Sequence, residues 1–298
     1  MPNTPSLEDL TLLIALSRYG SMSAYAQSVG VSAAYVSKRL ALLETRMGAR
    51  LFHRTTRSLS LTELGETCVE WGQRVLDSAQ DLMDAMSAER SVPQGLLRVC
   101  SSTGYGRSRV APALSALVRK YPLLEVQLEL MDRPVDMVTE GFHLDIRLGA
   151  VQEPGLIARR IADNKRILCA SPAYLKKAGV LKSLDDLQRH SCLVIRERDQ
   201  LPGRWILQGP QGEETVRVKG MLTSNNGESV RQWIEDGHGV GLRSAWDVAP
   251  LLHSKKLQQV LPAYYQQANV YAVYPSRLAS SARLRVCVEF LAQHLRGG

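Results

Sequence analysis

The residues best suited to chemistry in this sequence are hydroxyls and cations crowded into one short stretch. Ser32-Ala33-Ala34-Tyr35-Val36-Ser37-Lys38-Arg39 follows a tight turn, Gly30-Val31-Ser32, and reads as a helix capped by Ser32. A helix that enters the DNA major groove must be slim and must carry donors, acceptors and cations on its outward side. Ser32, Ala33, Ala34, Tyr35, Ser37, Lys38 and Arg39 meet that requirement, with Lys38 and Arg39 placed to reach bases or phosphates. Val36, Leu40 and Leu43 form the side that must be buried. Arg54, Thr55 and Arg57 lie a little further along and suit phosphate or minor-groove contact. The same pattern would also serve a solvated basic helix packed on two others.

A second constellation is suited to holding an anion. In open α/β sheets, ligands bind beyond the carboxyl ends of strands, where helix N-termini leave free N–H groups. An apolar strand ends at Ser101-Ser102-Thr103-Gly104-Tyr105, whose hydroxyls and glycine suit a carboxylate. A strand over 144–148 ends near Arg147, a bidentate carboxylate partner. Ser224-Asn225-Asn226-Gly227 precedes another helix and offers amide donors. The candidate ligand residues are therefore Ser102, Thr103, Tyr105, Arg147, Asn225 and Asn226. Ordinary helix capping by Ser102 and Ser224, with Arg147 in a structural ion pair, is the competing explanation.

Other chemistry has little support. There is no phosphate loop, no GxSxG, and no His–carboxylate pair at catalytic spacing, so no enzyme is indicated and neither a cofactor nor a metal is expected. His190-x-Cys192 has no further ligands nearby. The five cysteines are scattered without a CxxC, which fits reduced, buried thiols in a cytoplasmic protein. The N-terminus has no signal-peptide pattern, and no apolar run approaches a membrane span, so no membrane partner is expected.

The elements that must position these residues are legible as patterns. Ser6 and Asp9 form a capping box for a first helix, which Gly20 stops. Helices over 22–29 and 33–46 follow, then a two-stranded wing from 51 to 61. A long helix begins at Thr62. Its Leu64, Cys68, Trp71, Val75, Leu82 and Met86 recur at close to heptad spacing, which reads as a dimerisation seam, although one helix packing on its own domain would show much of the same pattern. Charge divides along this boundary. Residues 31–61 carry six cations against one carboxylate, and residues 62–90 carry two against seven. One surface thus faces phosphate and another does not. Ser91-Val92-Pro93-Gln94-Gly95 reads as a hinge.

Beyond the hinge, strands and helices alternate: strands over 96–101, 124–130, 144–148, 166–170, 192–195, 215–219, 239–242 and 270–274, and helices over 110–120, 135–140, 173–177, 183–188, 228–236 and 282–295. This predicts an α/β fold with largely parallel sheets. A chain of 298 residues with net charge +8, 45% hydrophobic and 22% charged, is ordinary for two or three globular domains.

A long match then narrows these possibilities. Gly20-Ser21-Met22, Ala26-Gln27, Val29-Gly30-Val31-Ser32, Val36-Ser37-Lys38-Arg39-Leu40, Gly48-Ala49-Arg50-Leu51-Phe52-His53-Arg54-Thr55-Thr56-Arg57 and Leu61-Thr62-Glu63-Leu64-Gly65 resemble the N-terminal signature of LysR-type transcriptional regulators. The resemblance continues through Val110-Ala111-Pro112, Asp145-Ile146-Arg147-Leu148-Gly149, Cys169-Ala170-Ser171-Pro172-Ala173-Tyr174-Leu175 and Gly237-His238-Gly239-Val240-Gly241-Leu242, and covers essentially the whole chain. It implies a winged helix-turn-helix (1–61), a linker helix that pairs two chains (62–90), a hinge (91–95), and a two-lobed effector domain similar to periplasmic binding proteins. The lobes would be 96–164 with 269–298, and 165–268. Implied partners are double-stranded operator DNA, a small-molecule co-inducer, RNA polymerase, and further copies of the chain as a homodimer or homotetramer. A subgroup that includes D-malate and tartrate utilisation regulators is similar in its Ala-Tyr-Val-Ser-Lys-Arg run, its Asp132-Arg133 pair and Tyr105-Gly106-Arg107, which points to a hydroxy-dicarboxylate or other organic acid. Ala33 and Tyr35 stand where the wider family commonly has Gln and Ala. A DNA-binding dimer that senses nothing, or an α/β enzyme with an appended DNA-binding domain, are the alternatives.

Overall fold

The computed structural model describes residues 4–54, 59–86, 92–149, 151, 153–196, 203–279 and 281–295. The chain forms two units, residues 1–89 and 90–298.

The first unit contains α1 (Leu7–Tyr19), α2 (Met22–Ser28), α3 (Ala33–Met47), the antiparallel pair β1 (Phe52–Arg54) and β2 (Leu59–Leu61), and α4 (Glu63–Met86). Local sequence sets its helix ends. Ser6 Oγ accepts from the Asp9 amide (3.2 Å) while the Asp9 carboxylate accepts from the Ser6 amide (3.1 Å), closing the expected capping box. Ser32 caps α3 by accepting from the Tyr35 amide (3.1 Å). Leu13, Leu16, Ala26, Val36, Leu40 and Leu43 then meet in one core, with Leu51, Phe52 and Leu59 of the wing beside them. Glu44 at the end of α3 accepts from the Leu51 amide (2.9 Å) and fixes where the wing begins. Cys68 belongs to this core as well. This corrects its assignment to the dimerisation seam: the α4 turn nearest the wing rests on its own unit, and Cys68 lies on the resting side.

The second unit follows in the order β3 (Gly95–Ser101), α5 (Thr103–Tyr105), a π-helical turn (Gly106–Val110), α6 (Ala111–Lys120), β4 (Leu124–Leu130), β5 (Leu144–Leu148), β6 (Leu156–Ala162), β7 (Lys165–Ala170), α7 (Pro172–Ala178), a 3₁₀ turn (Leu184–Arg189) and β8 (Cys192–Ile195). Then come β9 (Arg204–Gly209), β10 (Gly212–Arg217), β11 (Thr223–Ser224), α8 (Gly227–Glu235), β12 (Val240–Ser244), α9 (Ala245–His253), β13 (Gln258–Gln259), β14 (Tyr265–Gln267), β15 (Val270–Pro275) and α10 (Ala282–Leu295).

Two sheets divide these strands. One has the order β4-β3-β5-β15-β6. The other has the order β10-β9-β14-β7-β12-β8-β11, with β13 also on β7. The chain therefore leaves the first sheet after β6 and returns to it at β15, and all strands of the second lie between. Both sheets are mixed. β3 is parallel to β4 and β5, whereas β15 runs antiparallel to both β5 and β6 because it re-enters from the second lobe. The expectation of largely parallel sheets is corrected accordingly. The expected helix over 135–140 is a turn, closed by the Phe142 amide donating to the Met137 carbonyl (2.9 Å).

The two passages between lobes are tied by a buried amide network. Asn164 Nδ2 donates to the Ala268 carbonyl (2.9 Å) and to Ser244 Oγ (3.2 Å), and Asn269 Oδ1 accepts from Gln267 Nε2 (2.6 Å) and the Asn164 amide (3.2 Å). Buried polar groups must be satisfied. Here each crossing satisfies the other, so the lobes are joined at a defined place.

Candidate functional site

On the first unit, α3 presents the face expected of it. Ser32, Ala33, Ala34, Tyr35 and Lys38 are exposed and Ser37 is half-buried, while Val36, Leu40 and Leu43 are buried behind them. Arg39 is different. Its Nη2 donates to Asp9 Oδ1 (2.9 Å), and Arg46 Nη1 donates to Asp9 Oδ2 (2.6 Å). Asp9 is only 2% exposed. The capping-box carboxylate of α1 thus also clamps two arginines of α3. Residue 39 sits between the outward and inward faces, and a buried carboxylate claims its guanidinium. Arg39 is thus held against α1 by its ion pair, with 27% of its side chain still exposed. Burial pushes the Asp9 carboxyl up, but the Ser6 amide, Arg39 and the Ser6 hydroxyl outweigh it and leave the pKa below the ordinary carboxylate value. Thr55 and Arg57, and the side chain of Arg54, lie outside the described residues.

α4 leaves Leu64, Trp71, Val75 and Leu82 exposed along one side. Arg74 stacks over the Trp71 ring at 4.5 Å and pairs with Glu70 (2.5 Å). Large apolar side chains exposed along one side of a charged helix are the surface expected of an interaction face. The Met86 side chain lies outside the described residues.

In the second unit a cavity of about 180 Å³ opens between the lobes. That is below the volume of a drug-sized site and matches a small metabolite. Ser102, Tyr105, Arg147 and Asn225 line it, as expected from sequence. Thr103 and Asn226 do not line it; both reach it through Asp132. The Thr103 amide donates to Asp132 Oδ1 (3.0 Å) and Asn226 Nδ2 donates to Asp132 Oδ2 (2.7 Å). Asn226 is the cap of α8, its Oδ1 accepting from the Ser229 amide (2.9 Å). Ser102 occupies the cap position of α5 but makes no side-chain capping bond, so capping does not account for its hydroxyl. The Tyr105 phenol is buried against Trp246, with ring centroids 5.3 Å apart, and burial pushes its pKa up to about 12.

Arg147 is committed to acids. Its Nε donates to Asp145 Oδ2 (2.7 Å) and its Nη1 pairs with Glu153. Burial works against its charge, but the bonds to Glu153 and Asp145 prevail and hold the pKa above the ordinary value. The ion-pair explanation of Arg147 is therefore realised, although the side chain still faces the cavity.

Sequence reasoning missed the cations of the second lobe. Arg166, Arg196 and Arg243 also line the cavity. Arg243 Nε donates to Asp247 Oδ2 (3.0 Å), and Arg231 holds the other oxygen of that carboxylate (2.7 Å). The Arg243 guanidinium lies against the start of α8, where a Cβ on Gly227 would overlap it and force it to shift. Arg166 Nη1 donates to Gln266 Oε1 (2.9 Å). Arg196 is exposed and has no ion-pair partner among the described residues. Arg243 could have been found from sequence by the rule that selected Arg147, since it too ends a strand.

The five cysteines are buried, and burial pushes the thiols of Cys169, Cys192 and Cys287 up to about 12. A thiol so far from ionising is a poor nucleophile. Among the described residues no group of three or more His, Cys, Asp or Glu could hold a metal, and no helix is long and apolar enough to cross a membrane.

Residues 7–66 match the family described as "Bacterial regulatory helix-turn-helix protein, lysR family", and residues 90–296 match "LysR substrate binding domain". The chain is 51% identical to the HTH-type transcriptional regulator DmlR of Escherichia coli (strain K12), over 99% of this chain and 96% of that one. It is 45% identical to the HTH-type transcriptional activator TtdR of the same strain, over 97% and 93%. The structure of CrgA, a LysR-type transcriptional regulator from Neisseria meningitidis, is similar with a TM-score of 0.60 at 30% identity, covering 99% of this chain and 100% of that one. The chain belongs to the LysR family: it is a transcriptional regulator and not an enzyme, with a helix-turn-helix that binds operator DNA, an effector-binding domain for a small molecule, and an oligomeric working form.

Proposed function

We propose that the effector is a small organic anion, of the hydroxy-dicarboxylate class, held in the cavity between the lobes. The observation that carries this reading is Arg196, a cation without an ion-pair partner among the described residues, in a cavity whose other walls include three more arginines. A guanidinium of this kind presents a planar fork to a carboxylate. The Ser102 hydroxyl and the Asn225 amide supply neutral donors beside it, and Tyr105 and Trp246 close the apolar side.

Operator contact is assigned to Ser32, Ala33, Ala34, Tyr35, Ser37 and Lys38 of α3, with Arg54, Thr55 and Arg57 of the wing on phosphate or the minor groove. Two copies pair through Leu64, Trp71, Val75 and Leu82, extended by Met86, and pairs associate further as tetramers. The protein works in the cytoplasm and meets RNA polymerase at the promoter. Effector binding shifts the balance between two arrangements of the lobes, and only its differential affinity for those arrangements can do so.

The test is a thermal-shift and calorimetric screen of the full chain with D-malate, L-tartrate, succinate and benzoate. Ligand at about 100 times its Kd stabilises by about 2.7 kcal/mol. Arg196→Gln should weaken binding of the stabilising acid about tenfold without lowering the melting temperature of the free protein. If no acid stabilises the chain, or if Arg196→Gln binds as wild type does, the effector is not an anion of this class.

A further inference from the structure

The cavity already contains a carboxylate. Asp132 follows β4, and the β3–β4 pairing is prolonged by the Met131 amide donating to the Ser101 carbonyl (2.8 Å). This sets the Asp132 side chain at the mouth of the cleft, where it lines the cavity. Its two oxygens take donors from opposite lobes: Oδ1 accepts the Thr103 amide (3.0 Å) from the first, and Oδ2 accepts Asn226 Nδ2 (2.7 Å) from the second. Its backbone carbonyl accepts Asn225 Nδ2 (3.3 Å), also from the second lobe. The Asn226 amide cannot turn away, because its oxygen is committed to capping α8 at the Ser229 amide.

Asp132 stands among four arginines, yet among the described residues no arginine forms an ion pair with it. It is bonded instead to two neutral amide groups. An acid held by neutral donors beside cations gains less than one paired with a guanidinium, and it repels any second anion that enters a site of low dielectric.

We infer that Asp132 is a built-in occupant of a second carboxylate subsite, which bridges the two lobes in the effector-free protein and is displaced from the Thr103 and Asn226 amides when the second carboxylate of an effector binds. The inference rests on the reading of the cavity as an anion site. It makes Asp132 a determinant of specificity. A monocarboxylate can pair with Arg196 and leave Asp132 in place. A dicarboxylate needs a second set of donors, and the Thr103 and Asn226 amides that Asp132 holds form such a set at the lobe boundary. Effector entry then exchanges an internal bridge for an external one. The remaining tie between α8 and the π-helical turn, Arg107 to Glu228, lies at the surface and contributes little in water.

The test uses the full chain and two variants, Asp132→Asn, which keeps the shape, and Asp132→Ala, which vacates the subsite. Hydrogen exchange without any added acid should quicken in Asp132→Ala across 103–106 and 226–230. L-tartrate and D-malate should bind both variants about tenfold more tightly than wild type, and acetate should bind all three alike. Weaker dicarboxylate binding by the variants would make Asp132 a direct effector ligand and overturn the inference, as would unchanged affinity. Unchanged exchange would show that Asp132 does not bridge the lobes and would overturn it without any ligand. If no acid binds any of the three proteins, the anion-site reading itself fails and the displacement with it, whatever the exchange result.

Discussion

Replacing Trp71 with serine should separate the paired chains. Trp71 is 59% exposed on α4. With an aromatic side chain covering roughly 200 Å², this leaves about 120 Å² uncovered in each copy. Covering that area is worth about 3 kcal/mol per copy at about 25 cal/mol/Å². In an isologous pair the same patch is used twice, so the gross loss is about 6 kcal/mol. Ordering of side chains and imperfect packing consume part of this, and Arg74 already shields one face of the ring at 4.5 Å. A net loss of about 3 kcal/mol is therefore expected, which is roughly a hundredfold rise in the dimer Kd. Sedimentation velocity across a dilution series measures it directly, with circular dichroism to confirm the fold. Cys68→Ala provides the contrast. It removes a residue buried in the first unit's own core, so it should lower the urea midpoint and leave the dimer Kd unchanged. If Trp71→Ser dimerises as wild type does, the exposed side of α4 is not the seam.

Two further outcomes concern the recognition helix. Arg39→Ala should lower stability by about 1–2 kcal/mol in urea unfolding, because it strips a buried carboxylate of a charge-assisted hydrogen bond, while leaving the ratio of operator to non-specific binding as in wild type. Lys38→Ala should leave stability within about 0.5 kcal/mol and reduce the slope of log affinity against log salt by about 1 if Lys38 touches phosphate. The reverse pattern would make Arg39 the base reader. The Asp9 carboxyl has its pKa lowered in the folded chain, so its contribution is fully present above its unfolded value of about 3.9 and is lost as pH falls through the lower folded value. Wild type should therefore lose its stability advantage over Asp9→Asn below about pH 4, and parallel urea midpoints from pH 6 to pH 3 would contradict this.

What could be read from sequence was whatever local chemistry determines. The Ser6–Asp9 box, the Ser32 cap and the inward Val36, Leu40 and Leu43 depend on residues within a turn or two of each other, and the structure realises each. Elements whose pattern is broken were missed. α9 contains Pro250, which argues against a helix interior. β6, Leu156–Ala162, exposes three consecutive residues and lacks clean alternation. β9 is joined to β10 across Gly209 and Gly212, and its pairing becomes evident only with the hairpin closed. The direction of β15 could not be read at all, since it depends on the chain crossing to the second lobe and back. The same division holds at the sites. Strand-end and helix-start rules located Ser102, Arg147 and Asn225. They could not show that Asp9 would take Arg39, thirty residues away, or that Asp132, in a loop, would bond to both lobes.

The charge inventory of the cavity bears on what it selects. Arg147, Arg166, Arg196 and Arg243 line it, but Asp132 lines it too, and Asp145, Glu153 and Asp247 stand immediately behind. Counting the Arg231 that shares Asp247, five guanidiniums stand against four carboxylates, so much of the gross attraction for an anion is already offset. Selection must come from the direction of donors. The acids behind Arg147 and Arg243 fix those guanidiniums before any ligand arrives, which lowers the entropy lost on binding. Arg196, which has no ion-pair partner among the described residues, is a cation that an incoming charge can pair with without breaking a described ion pair. One carboxylate can thus be accepted as the cavity stands. A second carboxylate drawn to Arg147 or Arg243 would make that arginine desert its acid, which would leave a buried charge unpaired at large cost, whereas one drawn to the Thr103 and Asn226 amides has only to move Asp132, which breaks only hydrogen bonds to neutral groups. The second route is the easier one, and it changes the contacts between the lobes. On this reasoning, occupancy by a monocarboxylate and by a dicarboxylate should differ in kind, the first filling the cavity and the second also altering the bridge that the DNA-binding oligomer can report.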